Sequence, residues 1–138
     1  MWNWVTSGIP QGSVLGPLLF FIFINDLIES CAAYCEIYLF ADDAKLFKHI
    51  FSESDHQSLH NGVNALYERT LRWLLKLNIS KCKITAFGRN IKKTHVYNIM
   101  DNELDTSLER VHFINDLGIL MDEKLSFKEH INHKINKA

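Results

Sequence analysis

The sequence predicts an α+β fold, in which helices and short antiparallel strands alternate along the chain. Three observations support this prediction: an apolar run over 14–24, a strand–turn–strand pattern over 36–48 and a long amphipathic stripe over 54–77. The composition is that of a folded protein rather than a disordered one, with 47% apolar and 22% charged residues. A chain of 138 residues can bury a core of its own.

The N-terminal part combines turn residues with an apolar run. Residues 7–13 contain two glycines and one proline, which is typical of a turn. The run from Val14 to Ile24 ends at the polar pair Asn25-Asp26, and its length favours a helix over a strand. A helix that is apolar all round belongs in a protein interior, so we expect it to be buried. It is about half as long as a membrane span, and no basic region precedes it as in a signal peptide.

Residues 36–48 are typical of a β-hairpin, with a first strand over 37–40 and a turn centred on Asp42 and Asp43. Aspartate is favoured at a turn because its side chain bonds to its own backbone. Two adjacent carboxylates at a rigid tip are a suitable anchor for a hard cation such as Mg²⁺. The apolar strands on either side would hold them in a setting of low dielectric. The alternative is that the pair only shapes a solvated turn.

The remaining elements are an amphipathic helix, short strands and a final helix. The first of these helices is expected to start at Ser54-Asp55 and to run to about Leu77, because apolar residues recur at spacings of three and four. Beyond it the sequence predicts a strand over 84–87, a hairpin over 95–104, a strand over 117–121 and the beginning of a helix over 126–138.

The charge is nearly balanced, with a net value of −1, whereas proteins that bind nucleic acids usually have a basic surface. Residues 81–93 are locally basic: Lys81, Lys83, Arg89, Lys92 and Lys93. This strip either contacts the phosphates of a nucleic acid or is a solvated turn. The odd set of Cys31, Cys35 and Cys82 does not suggest a disulfide scaffold, which fits a reducing, intracellular compartment, either nuclear or cytoplasmic.

Two further pairs of side chains have competing interpretations. His56 and His60 are four residues apart and could share a helix face as zinc ligands, but no third ligand is evident. Tyr67 and Trp73 either provide stacking surfaces for bases or pack in a core. We favour core packing, because they stand among leucines at helical spacing.

Several segments resemble the reverse transcriptases of LINE-like (non-LTR) retrotransposons. Residues 7–20, Ser-Gly-Ile-Pro-Gln-Gly-Ser-Val-Leu-Gly-Pro-Leu-Leu-Phe, resemble motif B, and residues 40–43, Phe-Ala-Asp-Asp, resemble motif C at the expected distance. Residues 73–83 are similar to motif D, 115–119 to the Leu-Gly strand near the primer grip, and 125–131 to the beginning of the thumb. The resemblance covers nearly the whole chain and fits LINE-like enzymes better than group II intron or telomerase-type enzymes.

The resemblance implies a partial polymerase palm. Residues 1–125 would be its C-terminal part, with motifs B, C and D and primer-grip-like strands, and 126–138 the beginning of the thumb. The implied activity is RNA-directed DNA polymerisation, in which deoxynucleotides are added to a primer 3′-hydroxyl by two-metal catalysis with Mg²⁺. The implied partners are an RNA template, a DNA primer and deoxynucleoside triphosphates, with no membrane.

The resemblance also implies catalytic roles for three side chains. Asp42 would be the direct metal ligand, and Asp43 a second or supporting carboxylate. Lys81 would stabilise the charge of the triphosphate or act as general acid to the departing pyrophosphate. The alternative for Lys81 is a solvated lysine that follows a helix.

Four residues would bind the nucleotide or the template. Gly12 would let the backbone approach the nascent base pair closely, because it has no side chain. Gln11 would contact the template or the incoming nucleotide, and Ser13 belongs to the same turn. Phe40 would lie beside the primer end, or would be part of the core.

The family pattern requires a further aspartate, from motif A, ahead of motif B. Residues 1–6 contain no carboxylate, and the fingers are absent as well. We therefore expect the chain alone to bind Mg²⁺ weakly and not to extend a primer. Its apolar N-terminal helix, without the rest of the palm, should promote self-association. Two alternatives to an enzyme fragment stay open: a non-catalytic retrotransposon remnant that binds RNA or a partner, and the product of a decayed element.

Overall fold

The computed structural model describes residues 12, 14–75, 77–89, 94–101 and 104–137. They form three α-helices, eight short β-strands and one 3₁₀ turn, which confirms a mixed α+β architecture. The chain divides into two compact units, Met1–Leu75 and Lys76–Ala138, and each is described by itself. The functional boundary predicted between residues 125 and 126 stays a prediction.

The first unit places a β-hairpin on two helices. Its elements are α1 (Leu15–Cys31), β1 (Glu36–Phe40), β2 (Asp43–Phe47) and α2 (Glu53–Arg72). Apolar side chains of both helices and of the inward face of the hairpin form the core. The buried members are Ile24, Leu27, Cys31, Cys35 and Leu66, and the partly buried ones are Phe20, Phe23, Ile37, Leu39, Leu46 and Leu59.

The predicted N-terminal helix is confirmed, and α1 continues through the polar pair to Cys31. Ile24, Leu27 and Cys31 recur at helical spacing and are at most 8% exposed, so the core stabilises the second half of the helix. Asp26 is accommodated within the helix because its carboxylate pairs with the guanidinium of Arg69, with 2.7 Å between Oδ2 and Nη2.

The predicted burial of the apolar run is wrong for the first unit as the structure describes it. Phe20 and Phe23 contact the core, but six apolar residues at the N-terminal end of α1 are 53–93% exposed: Val14, Leu15, Leu18, Leu19, Phe21 and Ile22. A helix that is apolar on every side cannot be covered by neighbours on one side only. We call these six residues the exposed α1 surface. Among the described residues, no helix combines the length and apolar character that a membrane span requires.

Helix α2 begins slightly earlier than the sequence indicated. Ser52 is the N-cap of a capping box, in which the Asp55 carboxylate accepts hydrogen bonds from the backbone N–H groups of Ser52, at 2.9 Å, and of Phe51, at 3.0 Å. The hydrogen bonds from the Ser52 side chain and from these two N–H groups hold the pKa of Asp55 below its ordinary value. The carboxylate therefore replaces hydrogen bonds that the first turn of a helix lacks.

Helix α2 ends at Arg72, so the prediction that it reaches Leu77 is wrong. The Leu74 N–H donates to the Leu71 carbonyl at 3.1 Å, and the Leu75 N–H donates to the Thr70 carbonyl at 2.9 Å. This is the Schellman pattern of a helix C-terminus. Its left-handed position, which glycine usually occupies, is Leu74 with a φ of 56°.

The second unit consists of paired strands and a C-terminal helix. Its elements are the 3₁₀ turn Ile79–Lys81, β3 (Lys83–Ile84), β4 (Asn98–Asp101), β5 (Leu104–Ser107), β6 (Glu109–Arg110), β7 (Phe113–Asp116), β8 (Ile119–Asp122) and α3 (Lys128–Ile135). Strands β4–β5 and β7–β8 are antiparallel hairpins, and β3 pairs with β6 in parallel. Tyr97 and Ile99 are 4% and 1% exposed and mark the interior of this unit.

The strand predictions for this unit are right in kind and partly wrong in extent. The hairpin over 95–104 is confirmed as β4–β5, whose tip lies outside the described residues. The strand over 84–87 is reduced to Lys83–Ile84. Leu117 and Gly118 are turn residues, with φ values of 47° and 83°, so the predicted strand starts at Ile119. The final helix is confirmed but begins at Lys128 rather than residue 126.

Candidate active site

The hairpin β1–β2 presents the two candidate metal ligands at its end. Phe40 pairs with Asp43 across the strands, so Ala41 and Asp42 alone form the turn. Asp42 lies in the turn itself, and Asp43 is the first residue of β2. The pairing of the strands therefore fixes the backbone on both sides of the two carboxylates.

The turn has an unusual backbone conformation. Ala41 has a φ of 51°, whereas Asp42 is not among the described residues with positive φ. A positive φ at the first of two central residues is the φ pattern of a type II′ turn, which suits the twist of a hairpin. Glycine is the usual residue at this position, because an L side chain there is strained.

The two faces of the hairpin differ in their surroundings. Ile37, Leu39 and Leu46 pack against the core on the inward face. Tyr38 and Phe40 are 56% and 57% exposed on the opposite face. Residues paired across an antiparallel ladder point to the same side, so Asp43 lies on the outward face with Phe40. The aromatic ring of Phe40 is thus an exposed neighbour of the tip rather than a part of the core.

The expected low-dielectric setting of the carboxylates is wrong for this unit. Asp42 and Asp43 are both exposed to solvent. Side chains along β1 alternate between partly buried and exposed, and the partly buried Ile37 and Leu39 pack beneath the hairpin and do not surround its tip. The carboxylates are thus hydrated and open to a ligand.

A hydrogen bond between a tyrosine and a glutamate lies near the tip, on the outward face of the hairpin. The Tyr38 hydroxyl donates to Glu36 Oε2 at 2.6 Å. This hydrogen bond and the charge of the Glu36 carboxylate raise the pKa of Tyr38 above its ordinary value. Tyr38 is therefore a neutral hydroxyl at physiological pH and carries no negative charge toward the tip.

The ligand set at the tip fits a hard divalent cation but is small. Carboxylate oxygens are the donors that Mg²⁺ prefers, and Mg²⁺ commonly takes its remaining ligands from water and substrate phosphates. Within the part of the chain that the structure describes, no group of three His, Cys, Asp or Glu side chains is arranged to hold a metal. Asp42 and Asp43 thus supply two carboxylates, and the zinc interpretation of His56 and His60 gains no support.

Only one residue of the candidate nucleotide-binding turn, residues 11–13, lies among those that the structure describes. Gly12 has a φ of 79°, and a Cβ added there would meet no atom within 4 Å. Glycine suits this position because of its backbone conformation and not because of crowding. Gln11 and Ser13 lie outside the described residues.

Lys81 belongs to the second unit. It is the last residue of the 3₁₀ turn, its backbone N–H donates to the Asn78 carbonyl at 3.0 Å, and its side chain is exposed. In the basic strip that starts there, Lys83 forms an ion pair with Glu109, its neighbour across β3 and β6. The strip is thus partly neutralised by an acid that is remote in sequence, and Lys92 and Lys93 lie outside the described residues.

Trp73 and Tyr67 are packed in the first unit, as the sequence predicted. The Trp73 ring meets Phe23 edge-on at 4.2 Å between ring centroids, and the Arg69 guanidinium lies 4.5 Å from the Trp73 centroid. Tyr67 is 7% exposed. The pair of Arg69 with Asp26 was missed by the sequence analysis, since charges on different helices give no local periodic signal.

The three cysteines are free thiols in the structure. Burial and the proximity of Cys35 raise the pKa of Cys31 to about 11, and burial likewise raises the pKa values of Cys35 and Cys82. Such thiols are poor nucleophiles at neutral pH. Cysteine chemistry is therefore not part of the candidate site.

Two open clefts of the first unit lie away from the carboxylates, at the base of the hairpin. One has a volume of about 370 Å³ and includes Tyr34, Phe47 and Phe51 in its lining. The other, of about 290 Å³, includes Ile28 and Ala32. Neither is lined by the tip, so the candidate metal site is a projecting carboxylate pair rather than a pocket.

Comparisons with known proteins place these features in a wider context. Residues 3–114 match the family model described as reverse transcriptase (RNA-dependent DNA polymerase). The chain is 30% identical over 136 residues to the RNA-directed DNA polymerase from mobile element jockey of Drosophila funebris, covering 94% of this chain and 14% of the relative. It is 28% identical over 131 residues to the probable RNA-directed DNA polymerase from transposon X-element of Drosophila melanogaster, covering 92% of this chain and 14% of the relative.

A third relative extends the same pattern. The probable RNA-directed DNA polymerase from transposon BS of Drosophila melanogaster is 31% identical over 133 residues, covering 91% of this chain and 14% of the relative. The chain thus spans about one seventh of the length of the curated relatives it matches. No solved structure matches the chain significantly.

Proposed function

The chain belongs to the reverse transcriptase (RNA-dependent DNA polymerase) family, and we propose that it carries the metal-binding tip of an RNA-directed DNA polymerase palm. The observation that carries this proposal is the position of Asp42 and Asp43, adjacent at the end of a hairpin whose register is defined and whose inward face packs on two helices. The mobile-element names of the relatives agree with the LINE-like resemblance of the motifs.

The two carboxylates have distinct tasks in this proposal. Divalent ions held there would stabilise the charge on an attacking primer 3′-hydroxyl and on the leaving oxygens. Asp42, in the turn and outside the strand ladder, is the direct ligand. Asp43 is the supporting carboxylate, and its pairing with Phe40 holds its backbone in place.

The remaining residues bind the nucleic acid and the nucleotide. The backbone at Gly12 is open to close approach, which supports a contact of this turn with the nascent base pair. Gln11 and Ser13 flank it and contact the template or the incoming nucleotide. Phe40 lies beside the primer end, a role that its exposure favours over the core alternative. Lys81 stabilises the triphosphate charge or protonates the departing pyrophosphate.

We propose further that the 138-residue polypeptide by itself binds Mg²⁺ weakly and does not extend a primer. The tip supplies two carboxylates, and both are hydrated. A hydrated carboxylate pair gains little from a cation that is itself strongly hydrated. A third carboxylate ligand would be needed to close the site.

The metal-binding tip is tested by titrating the ¹⁵N-labelled chain with Mn²⁺, which broadens the amide signals of residues near it. We expect broadening that is centred on residues 40–44 and is lost in Asp42→Asn. The control is Glu68→Gln, which removes one exposed acid from α2 and should leave the broadening unchanged. Broadening centred elsewhere, or equal in Asp42→Asn, would contradict the assignment of the site.

Activity is tested separately by a primer-extension assay with an RNA template, a DNA primer, deoxynucleoside triphosphates and Mg²⁺. We expect no product from this chain. Synthesis that depends on Asp42 would overturn the expected inactivity while supporting the polymerase assignment. The Mn²⁺ titration therefore tests whether the tip binds metal, and the primer-extension assay tests separately whether the chain alone is active.

A second candidate function is partner binding, and the exposed α1 surface favours it. Six apolar side chains in one helix segment form the kind of surface that associates in water. We propose that the chain self-associates through this surface. Light scattering coupled to size exclusion should show an oligomer that Phe21→Glu reduces to a monomer. Leu71→Glu, which replaces a leucine of α2 that is exposed to a similar extent, should not do so. A monomeric wild type would contradict the proposal.

The non-catalytic alternative also predicts a behaviour toward RNA. A remnant that binds RNA through the palm surface should retain RNA binding in Asp42→Asn, measured by fluorescence anisotropy of a labelled RNA. A polymerase fragment that holds nucleic acid chiefly through bound metal should lose RNA binding in Asp42→Asn.

A further inference from the structure

The connection from β8 to α3 is organised by the side chain of Asp122. Its Oδ2 accepts hydrogen bonds from the backbone N–H groups of Ser126, at 2.9 Å, and Phe127, at 3.0 Å, and from the Ser126 hydroxyl at 2.8 Å. Its Oδ1 accepts from the Lys124 N–H at 2.9 Å. One carboxylate at the end of the strand thus binds three residues of the connection, the last of which is the N-cap of α3.

The same connection contains backbone conformations that an L residue rarely adopts. Leu125 and Phe127 have φ values of 53° and 57°. Such residues persist only where the surrounding structure determines them. Because the Asp122 carboxylate bonds to Ser126 and Phe127 directly, it is the group that holds this path of the chain.

A second contact joins α3 to β8 beyond the connection. The Leu120 N–H donates to Nδ1 of His130 at 3.1 Å, and the contact is partly buried. Leu120 pairs with Asn115 of β7, and β7 is the one described strand that pairs with β8. Since its N–H is bonded to His130, it points to the edge of β8 that faces away from β7. The imidazole therefore covers part of an open strand edge.

The direction of this hydrogen bond defines the protonation state of the imidazole. A backbone N–H can only donate, so Nδ1 must carry a lone pair and the ring must be neutral, with its proton on Nε2. An imidazolium has N–H groups at both positions and cannot accept. We propose that Asp122 and His130 are positioning residues that set the direction of α3 relative to β8, and that protonation of His130 releases the second of these two attachments.

Both attachments lie in the second unit, and neither involves the metal-binding tip. They give a physical role to the connection between β8 and α3. The arrangement holds α3 by one attachment that is constant and one that responds to pH.

Charged and titratable residues lie on the two strands, on the helix and in the connection between them. On β7 and β8 these groups are Asp116 and Asp122, in the connection Glu123 and Lys124, and on α3 Lys128, Glu129, His133 and Lys134. Loss of hydration acts to raise the pKa of Asp122, but the hydrogen bonds from Ser126, Lys124 and Phe127 outweigh it and hold that pKa below its ordinary value of 3.8. Asp122 therefore stays ionised over the pH range in which histidines usually titrate, and its hydrogen bonds to the connection stay intact.

A second histidine in this unit contacts a carboxylate of the connection between β8 and α3. His112 Nδ1 lies 3.1 Å from Glu123 Oε1, and protonation of His112 would turn this contact into an ion pair. The release of His130 is therefore measured best in a His112→Asn background, which removes the opposing contribution.

The test is amide hydrogen exchange of the full chain at pH 8 and pH 5, the limits between which histidines usually titrate, with exchange corrected for its intrinsic pH dependence. In His112→Asn we expect the protection of the Leu120 amide and of α3 to fall about five-fold at pH 5, the equivalent of one ordinary hydrogen bond. At pH 8 the ring ¹⁵N shifts of His130 should be those of a neutral ring protonated at Nε2, as the hydrogen bond from Leu120 requires.

Two substitutions of His130 separate its titration from its packing. His130→Asn places an amide oxygen where Nδ1 lies, so it should keep the high protection and lose the pH dependence. His130→Leu removes the acceptor and should show the low protection at both pH values. Equal protection of the His112→Asn protein at pH 8 and pH 5, or an undiminished pH response in His130→Asn, would overturn the proposal.

Discussion

The packing beneath the hairpin makes a sharp prediction at Gly62, a buried glycine in the middle of α2. A Cβ added at Gly62 would lie 2.6 Å from Cys35 Sγ, 3.4 Å from Tyr34 Cβ and 3.6 Å from Leu46 Cδ2. Only the sulfur is closer than real contacts allow. Cys35 is 8% exposed and belongs to the core, so its sulfur has no solvent to rotate into.

Two effects of Gly62→Ala oppose each other, and their magnitudes determine the outcome. Alanine is favoured over glycine in a helix by about 1 kcal/mol. Overpacking of a well-packed site costs about 1–3 kcal/mol. We therefore expect Gly62→Ala to lower the free energy of unfolding by about 1 kcal/mol. In a Cys35→Ala background the sulfur is absent, so the same substitution should raise the free energy of unfolding by up to about 1 kcal/mol.

The assay is a double-mutant cycle of urea unfolding followed by far-UV circular dichroism, with all four proteins measured under one buffer. The expected signature is a change of sign between the two backgrounds, with a coupling free energy of about 2 kcal/mol from the two effects above. A stabilising Gly62→Ala in the presence of Cys35, or the same effect in both backgrounds, would refute the close approach of α2 to the start of β1. That approach supports the hairpin from which the two carboxylates project.

Three further predictions concern the ends of elements. Leu74→Gly should raise the free energy of unfolding in urea by up to about 1 kcal/mol, because Leu74 is 93% exposed and has a positive φ. The control Leu71→Gly, within α2, should lower it by about as much. A lower free energy of unfolding in both variants would contradict the left-handed C-terminus of α2. Ala41→Gly should leave the melting temperature unchanged or raise it, and Ala41→Val should lower it, because Ala41 has a φ of 51° in the turn. A higher melting temperature for Ala41→Val than for Ala41→Gly would argue against this positive φ. The lowered pKa of Asp55 means that its contribution to stability is present above pH 3.8, its unfolded value, and is lost as the pH falls through the folded value. The difference in melting temperature between wild type and Asp55→Ala should therefore shrink below pH 3.8, and a constant difference down to pH 2 would contradict the capping box.

The parts of the fold that were predictable are those with local causes. The hairpin over 36–48 follows from its apolar strands and turn residues, and α2 follows from a stripe that repeats every three to four residues. The tip carboxylates were found because Asp42 and Asp43 stand inside a motif that resembles motif C. The physical reason is the same in each case: neighbours in sequence carry the signal.

Other features depend on residues that are far apart in sequence. Nothing near Leu74 distinguishes it from a helical leucine, yet α2 ends there in a left-handed turn. Asp26 is charged and still lies inside α1, because Arg69, forty-three positions later, pairs with it. The setting of the tip was misjudged for a similar reason, because apolar strand residues were expected to surround the carboxylates and instead face the core below them.

Family membership, the kinds of elements and the residues at the hairpin tip followed from the sequence alone, because local periodicity, turn chemistry and motif spacing involve residues that are neighbours in the chain. The surfaces that are covered became known only from the folded structure. It showed that the carboxylate pair is hydrated, that the apolar half of α1 is exposed, and that Asp122 and His130 both hold α3 to β8. Burial and hydrogen bonding depend on partners that folding brings together, and no single stretch of sequence contains them.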